Sequence, residues 1–422
     1  MLLIYTHKTS PRIHYTFDLI FRSILGIDFK ITTDLDYFMV YSEAKMSYTH
    51  EPIGSELFFK SDKLLFETGI SSLTSIQIGK ETEHPSDLFA FAFFLVTRYE
   101  EYLPFRADHY GRFSAKQSVA YKNNFLQKPI VNCWAHEIKK RILEKYPSLS
   151  FPEKKYSYTP TIDIDNAYAY YGKNLIRALG GYARALAKED KDDFSKRKHV
   201  LAGKEKDPYD TYDFQNELHK KYALKPIYFF LLGDRAVNDK NLPYTNPIMQ
   251  SLIKDIASGA ETGIHPSFAS NQNPKKVKIE KERLKNITRN EITKSRQHFL
   301  MLKFPETYRN LIASGVTDDY TMGYADEVGF RAGICTPCQF YDLQKEETTN
   351  LTLHPFAVMD ATLLYYMRIK PAEVMSYVGP LIKEIRAVNG TFITIWHNES
   401  LSNYQQWYGW KGVYEDIIKA AK

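Results

Sequence analysis

Two aspartates in the segment TPTIDIDNAY, residues 159–168, stand two positions apart within an apolar, β-branched run. Side chains in a strand alternate between its two faces, so Thr161, Asp163 and Asp165 share one face. Acidic residues are depleted in strand interiors, and an unpaired buried charge is costly. Two neighbouring carboxylates can divide the work of a hydrolase, because one can bind a metal while the other acts as a base. The structural alternative is that Asp165 caps the following helix and Asp163 pairs with an arginine.

Two histidines end two other predicted strands. His265 follows the apolar step in ETGIHPSF, and His397 ends the β-rich run GTFITIWH. In parallel α/β folds, functional side chains gather at the carboxyl ends of the strands. Two aspartates and two histidines at the ends of different strands therefore predict one site. Carboxylate and imidazole ligands suit zinc or a similar divalent ion.

Strands that alternate with helices are needed to position these residues, and the chain from about residue 156 onward has that pattern. Its strand-like segments include YTPTIDID, PIYFFLLGD, GIHPSF, GFRAGI, NLTLHPF and GTFITIWHN. The alternation predicts a parallel α/β architecture, open or closed into a barrel. A chain of 422 residues is long for one core, and the segment 147–158 is typical of a linker. We therefore predict a smaller N-terminal α/β domain of unknown role at 1–150 and a second domain at 156–422.

The motifs of the second domain resemble, in order and spacing, those of the polysaccharide deacetylase family, which includes chitooligosaccharide and peptidoglycan deacetylases. Three family motifs have counterparts here: Thr161, Asp163 and Asp165 in the first, Glu261, Gly263 and His265 in the second, and His397 in the last. The resemblance implies a distorted (β/α) barrel. It also implies that Asp163 is the catalytic base and that His397 is the catalytic acid. Asp165 and His265 would bind the metal.

The family's arginine motif resembles two segments of this chain, SRQHF with Arg296 and GFRAG with Arg331. In either case the arginine would pair with Asp163, orient it and keep it ionised. Both arginines are therefore candidate catalytic residues.

The chain departs from the family pattern at Ala269, which stands where the family has its second metal-binding histidine. We predict His298 as the replacement, because it would share a strand face with Arg296 in an extended segment. A shifted alignment, with the histidine of GIHPSF as the second motif histidine, would make Glu261 a ligand instead. A third possibility is that the metal is lost.

The resemblance implies a metal-dependent hydrolase that acts on carbon–nitrogen bonds other than peptide bonds. Its reaction would be removal of an N-acetyl group from a sugar or polysaccharide, with a divalent metal, expected to be zinc, as cofactor. An N-acetylated carbohydrate would be its substrate. Two alternatives are another amide or cyclic-imide hydrolase on the same scaffold and a degenerate, non-catalytic carbohydrate-binding relative.

Composition and charge argue against several other classes of function. The net charge of +6, from 56 basic and 50 acidic residues, is mild, and no basic cluster with interleaved aromatics predicts nucleic-acid binding. The three cysteines form no disulfide framework, and the single pair Cys335 and Cys338 lacks the partners of a structural zinc site. The longest apolar run, at 88–96, is too short for a membrane span, and the first residues do not have the pattern of a signal peptide. We expect a cytoplasmic protein; the sequence leaves its oligomeric state open.

Overall fold

The structure is a computed structural model that describes residues 1–71 and 85–422. Its N-terminal region contains a four-stranded parallel sheet in the order β2-β1-β3-β4. These strands are β1 (Leu2–Tyr5), β2 (Phe29–Thr32), β3 (Lys45–Thr49) and β4 (Leu57–Lys60). The helices of this region are α1 (Pro11–Phe17), α2 (Leu35–Val40), α3 (Leu88–Val96), α4 (Val119–Lys122) and α5 (Ile130–Lys145). The apolar run at 88–96 forms α3, which is buried nearly all round, as a helix without a polar face must be.

A nine-stranded sheet follows. Its strands are β5 (Ser157–Ile164), β6 (Ile227–Phe230), β7 (Glu261–Ile264), β8 (Lys294–Ser295), β9 (Asp318–Asp319), β10 (Cys338–Asp342), β11 (Glu347–Leu353), β12 (Val358–Met359) and β13 (Thr391–His397). Their order is β10-β11-β9-β8-β7-β6-β5-β13-β12, and every pair is parallel except β10 with β11. The helices are α6 (Leu175–Ala187), α7 (Lys191–Leu201), α8 (Tyr212–Lys221), α9 (Pro247–Ala257), α10 (Lys275–Thr288), α11 (Glu306–Ala313), α12 (Val374–Ala387) and α13 (Trp410–Ala421). The predicted mixed α/β class with parallel strands is confirmed.

The sheet is curled, although the described strands do not pair into a closed barrel. The rings of Phe229 on β6 and Tyr320 after β9 lie 5.3 Å apart, whereas strands three positions apart in a flat sheet are separated by about 14 Å. Residues 354–357 join β11 to β12 across the gap between the two ends. In this segment the backbone N–H of Phe356 donates to Met322 O at 3.1 Å, and that of Ala357 donates to Ile393 O at 3.0 Å.

The N-terminal region packs directly against the second sheet. Glu101 pairs with Arg331 at 2.5 Å, with both side chains buried, and one large apolar cluster includes residues of both regions. The predicted linker at 147–158 lies between α5 and the first residues of β5. The domain limits themselves stay predictions. Within the described ranges, no helix is long and apolar enough to cross a bilayer.

Candidate active site

The carboxyl ends of the strands β5, β7 and β13 bring the predicted residues together. Asp163 is the penultimate residue of β5, and Asp165 directly follows that strand. His265 directly follows β7, and His397 ends β13 in register with Asp163. The carboxyl ends of parallel strands lie at the same edge of a sheet, so all four residues lie at one edge. Alternation along each strand then determines the face to which each side chain points.

His298, reached through a short turn after β8, completes a cluster with Asp165 and His265. Within this Asp–His cluster, one potential ligand atom from each residue lies within 4.8 Å of the other two. Asp165 Oδ1 is 3.2 Å from His265 Nε2, and Asp165 Oδ2 is 3.3 Å from His298 Nε2. The other ring nitrogens bind acceptors: His265 Nδ1 donates to Arg296 O at 2.5 Å, and His298 Nδ1 donates to Asp239 Oδ1 at 2.9 Å. Protonation at Nδ1 leaves both Nε2 lone pairs directed at Asp165.

This donor set fits a divalent metal. Two ligands bound at about 2.1 Å in a tetrahedral site are separated by roughly 3.4 Å, close to the 3.2 and 3.3 Å measured here. Asp165 Oδ1 is buried and has no hydrogen-bond partner in the described part of the chain. The cluster also favours positive charge. Burial opposes charge on His298, but Asp165 and then Asp239 raise its pKa to about 9. A bound cation would take the place of that proton.

Asp163 lies beside the Asp–His cluster and is held by Arg296. Arg296 Nη1 donates to Asp163 Oδ1 at 3.1 Å and to Thr161 Oγ1 at 2.7 Å, and Arg296 Nε donates to Tyr320 O at 3.1 Å. The other carboxylate oxygen of Asp163 is 3.8 Å from His265 Nε2. Asp163 is therefore an oriented carboxylate with one oxygen toward the cluster.

His397 faces the same space from the opposite side and is fixed by Asp360. Its Nδ1 donates to Asp360 Oδ1 at 2.8 Å, and its backbone N–H donates to Asp360 Oδ2 at 2.7 Å. Its Nε2 is 3.8 Å from Asp165 Oδ2. Burial opposes the charged form, but Asp360, and then Asp165 and Asp163, raise the pKa of His397 well above its usual value. The imidazole is thus set up to hold a proton and donate it.

Two of the sequence candidates lie elsewhere. Arg331 binds Glu101 and donates to Gly323 O at 3.0 Å, so of the two candidate arginines it is Arg296 that reaches Asp163. Glu261, the alternative ligand, is exposed at the start of β7 and pairs with Lys294 at 3.1 Å. It lies at the opposite end of β7 from His265.

Sequence reasoning missed two carboxylates that orient the histidines. Asp360 directly follows β12 at the same sheet edge as the other site residues, but a strand of two residues has no periodic pattern that could mark its end in the sequence. Asp239 lies in the long loop between β6 and α9, where nothing local marks it. Its carboxylate also accepts the backbone N–H groups of Phe268 and Ala269, at 2.8 and 3.2 Å.

A cavity of 330 Å³ opens onto these groups and has the size of a small-molecule site. Its aromatic lining consists of Tyr110, Phe299, Tyr365, Tyr366 and Trp407. Arg112, from the N-terminal region, also lines it and donates to Phe299 O at 2.8 Å and to Tyr366 OH at 2.9 Å. Glu399 is a further acid in the wall, and burial raises its pKa to about 7. A larger cavity of 1130 Å³, between α9 and α10, contains none of the candidate residues.

The chain is distantly similar to known proteins. A model described as a family of unknown function (DUF7033) matches residues 2–147, and comparison with curated proteins gives no match. Of the solved structures, a protein from Mycobacterium smegmatis assigned as a polysaccharide deacetylase has 14% identity and a TM-score of 0.40, with 64% of this chain and 85% of that chain covered. The polysaccharide deacetylase of Bacillus cereus has 11% identity and a TM-score of 0.29, with 63% and 88% covered. A mutant of a CE4-family pseudoenzyme with restored enzymatic activity has 12% identity and a TM-score of 0.26, with 64% of each chain covered.

Proposed function

We propose that this protein is a metal-dependent hydrolase that removes the N-acetyl group from an N-acetylated sugar or polysaccharide. One observation carries the proposal: a metal-binding donor set, an oriented carboxylate and an oriented, protonated imidazole face one cavity. Amide hydrolysis requires these three functions, namely activation of water, acceptance of a proton and protonation of the leaving nitrogen.

The Asp–His cluster would hold the metal, for which two imidazoles and one carboxylate make zinc a suitable ion. When bound, such a metal lowers the pKa of water and polarises the amide carbonyl. Asp163 accepts the proton of the attacking water, because Arg296 fixes one of its oxygens and leaves the other toward the cluster. His397 then gives its Nε2 proton to the amine as the carbon–nitrogen bond breaks, and Asp360 stabilises the imidazole throughout. Acetate and the free amino sugar are the products.

The position of His298 supports an intact site over a degenerate one. Ala269 removes one donor from the family pattern, and catalytic zinc sites usually have three protein ligands. His298 Nε2, 3.3 Å from Asp165, supplies the third donor from a different segment. The aromatic rings of the cavity support a carbohydrate substrate, because they offer apolar faces to a sugar ring beside the polar site groups.

The test measures acetate release from an N-acetylated chitooligosaccharide by the full chain loaded with zinc. We expect turnover that stops after removal of the metal by a chelator and returns when zinc is added. Glu261→Gln serves as the matched control, because Glu261 is a carboxylate outside the cluster and should retain both zinc and activity. Failure to bind zinc would refute the proposal. Zinc binding with turnover of a cyclic imide, but of no N-acetylated sugar, would assign the same residues to the alternative hydrolase.

A further inference from the structure

Helix α6 presents its large apolar side chains to solvent. Four of them have exposed fractions between 59% and 79%, and together they form what we call the α6 apolar stripe: Leu175, Ile176, Leu179 and Leu186. At about 100° per residue these four positions fall within one arc of about 100° on the helix. The buried side of α6 carries only the small Ala185. A helix on a globular protein normally buries such a stripe, so this exposed patch indicates an interaction surface.

A basic cleft lies beside the stripe, between α6, α7 and the loop after β6. The cleft has a volume of 500 Å³ and is lined by six cationic side chains against one carboxylate, Asp193. The cations are Lys173, Arg177, Arg184, Arg197, Arg235 and Lys240. Across the described residues, Arg197, which pairs with Asp193 at 3.1 Å, is the one cation of this set that has an ion-pair partner.

Like charges are crowded in the basic cleft, and together with burial they lower the pKa of two of its cations. Burial, and then the nearby Arg177, lower the pKa of Lys173 to about 8. Burial and Arg235 likewise lower the pKa of Arg177. An anion in the cleft would neutralise this charge and provide acceptors for the guanidinium groups, as phosphate does.

The basic cleft adjoins the candidate active site. Asn166 lines the cleft and directly follows Asp165 in the chain. Its carbonyl accepts a hydrogen bond at 3.0 Å from Asn398, the residue after His397. An anion bound in the cleft would therefore lie next to the 330 Å³ cavity of the candidate active site.

We propose that α6 docks this protein on the surface of an anionic lipid bilayer, with the α6 apolar stripe among the acyl chains and a lipid phosphate in the basic cleft. Exposed leucine and isoleucine next to unpaired arginine and lysine is the combination that holds interfacial helices at anionic membranes. A protein partner, or a second copy of this chain, would have to place acidic groups opposite the basic cleft and apolar groups opposite the stripe. An anionic bilayer supplies both, as lipid phosphates and acyl chains. Docking goes beyond the proposed hydrolysis and does not depend on it.

The test is flotation of the full chain with vesicles of phosphatidylcholine alone and of phosphatidylcholine with 30% phosphatidylglycerol. We expect binding to the anionic vesicles that weakens with salt, and little binding to the neutral ones. The double variant Ile176→Glu with Leu179→Glu should weaken binding by about tenfold or more, because it places charges in the inserted face. Val40→Glu is the matched control, since Val40 is 80% exposed on α2 and should bind like the unmodified chain.

A second pair of substitutions separates the charge from the apolar contribution. Arg184→Glu with Arg235→Glu should abolish the preference for anionic vesicles and keep the protein folded, as both side chains are exposed. Absence of binding to anionic vesicles would overturn the proposal. So would equal binding by all variants, or self-association in lipid-free buffer that the stripe substitutions remove. None of these substitutions should change acetate release from a dissolved chitooligosaccharide.

Discussion

Substitution of the two aspartates of β5 should separate metal binding from turnover. Both oxygens of Asp165 lie at ligand spacing from an imidazole, at 3.2 and 3.3 Å, whereas Asp163 Oδ2 is 3.8 Å from His265 Nε2. Asp165→Ala should therefore abolish zinc binding. Asp163→Asn keeps the shape and one acceptor oxygen for Arg296, but an amide cannot accept the proton of water. We expect it to retain zinc.

The rate effect of Asp163→Asn follows from its role as the base. Loss of general-base catalysis typically costs about 10²–10⁴ in rate, which is roughly 3–5 kcal/mol of activation free energy. Zinc content after dialysis and competition with a chromogenic chelator measure metal binding, while acetate release measures turnover. Glu261→Gln again controls for the loss of a carboxylate outside the site. Equal loss of zinc in both aspartate variants, or an Asp163→Asn variant with normal turnover, would show that the assigned roles are wrong.

Three further predictions concern single histidines and their partners. His298→Ala should weaken zinc affinity by orders of magnitude, since catalytic zinc sites usually need three protein ligands; unchanged affinity in a chelator titration would exclude it as a ligand. Asp360→Asn should lower kcat with little change in zinc content, because an amide cannot fix the protonated state of His397 as a carboxylate does; an unaltered kcat would contradict this. Burial lowers the pKa of His219 from 6.5 to about 4, so the stability that its neutral form contributes is present above pH 6.5 and is lost as the pH falls toward 4. Between pH 7 and 5 this loss should be about 2 kcal/mol, and His219→Gln should remove that slope from urea unfolding curves.

The strand ends could be predicted from the sequence because they depend on local patterns. Alternation in TPTIDID and in ITIWH set the faces of Asp163, Asp165 and His397, and an apolar step ahead of His265 marked the end of β7. The same alternation predicts His298 if the segment is extended, but β8 ends three residues before it and His298 begins a short 3₁₀ turn.

The remaining features depend on contacts between distant segments. The local sequence does not decide between the two candidate arginines, and Arg296 reaches Asp163 because the sheet curls across three strand positions. The strands β8, β9 and β12 have two residues each, too few for a periodic pattern, so the order in which the strands curl around the site could not be predicted. Asp239 acts from a loop whose path is set by tertiary contacts with Phe268 and Ala269.

The ion pair between Glu101 and Arg331 couples the stability of the N-terminal region to that of the region from 156 onward. Each side chain is 2% exposed, and removal of the N-terminal region would take the carboxylate partner of Arg331 away, whereas Glu101 would keep Arg98 as a partner. Arg112, in the wall of the cavity, comes from the same N-terminal stretch as Glu101. The two regions should therefore unfold in one cooperative transition, and a fragment that starts at 156 should be both unstable and open on one side of its cavity.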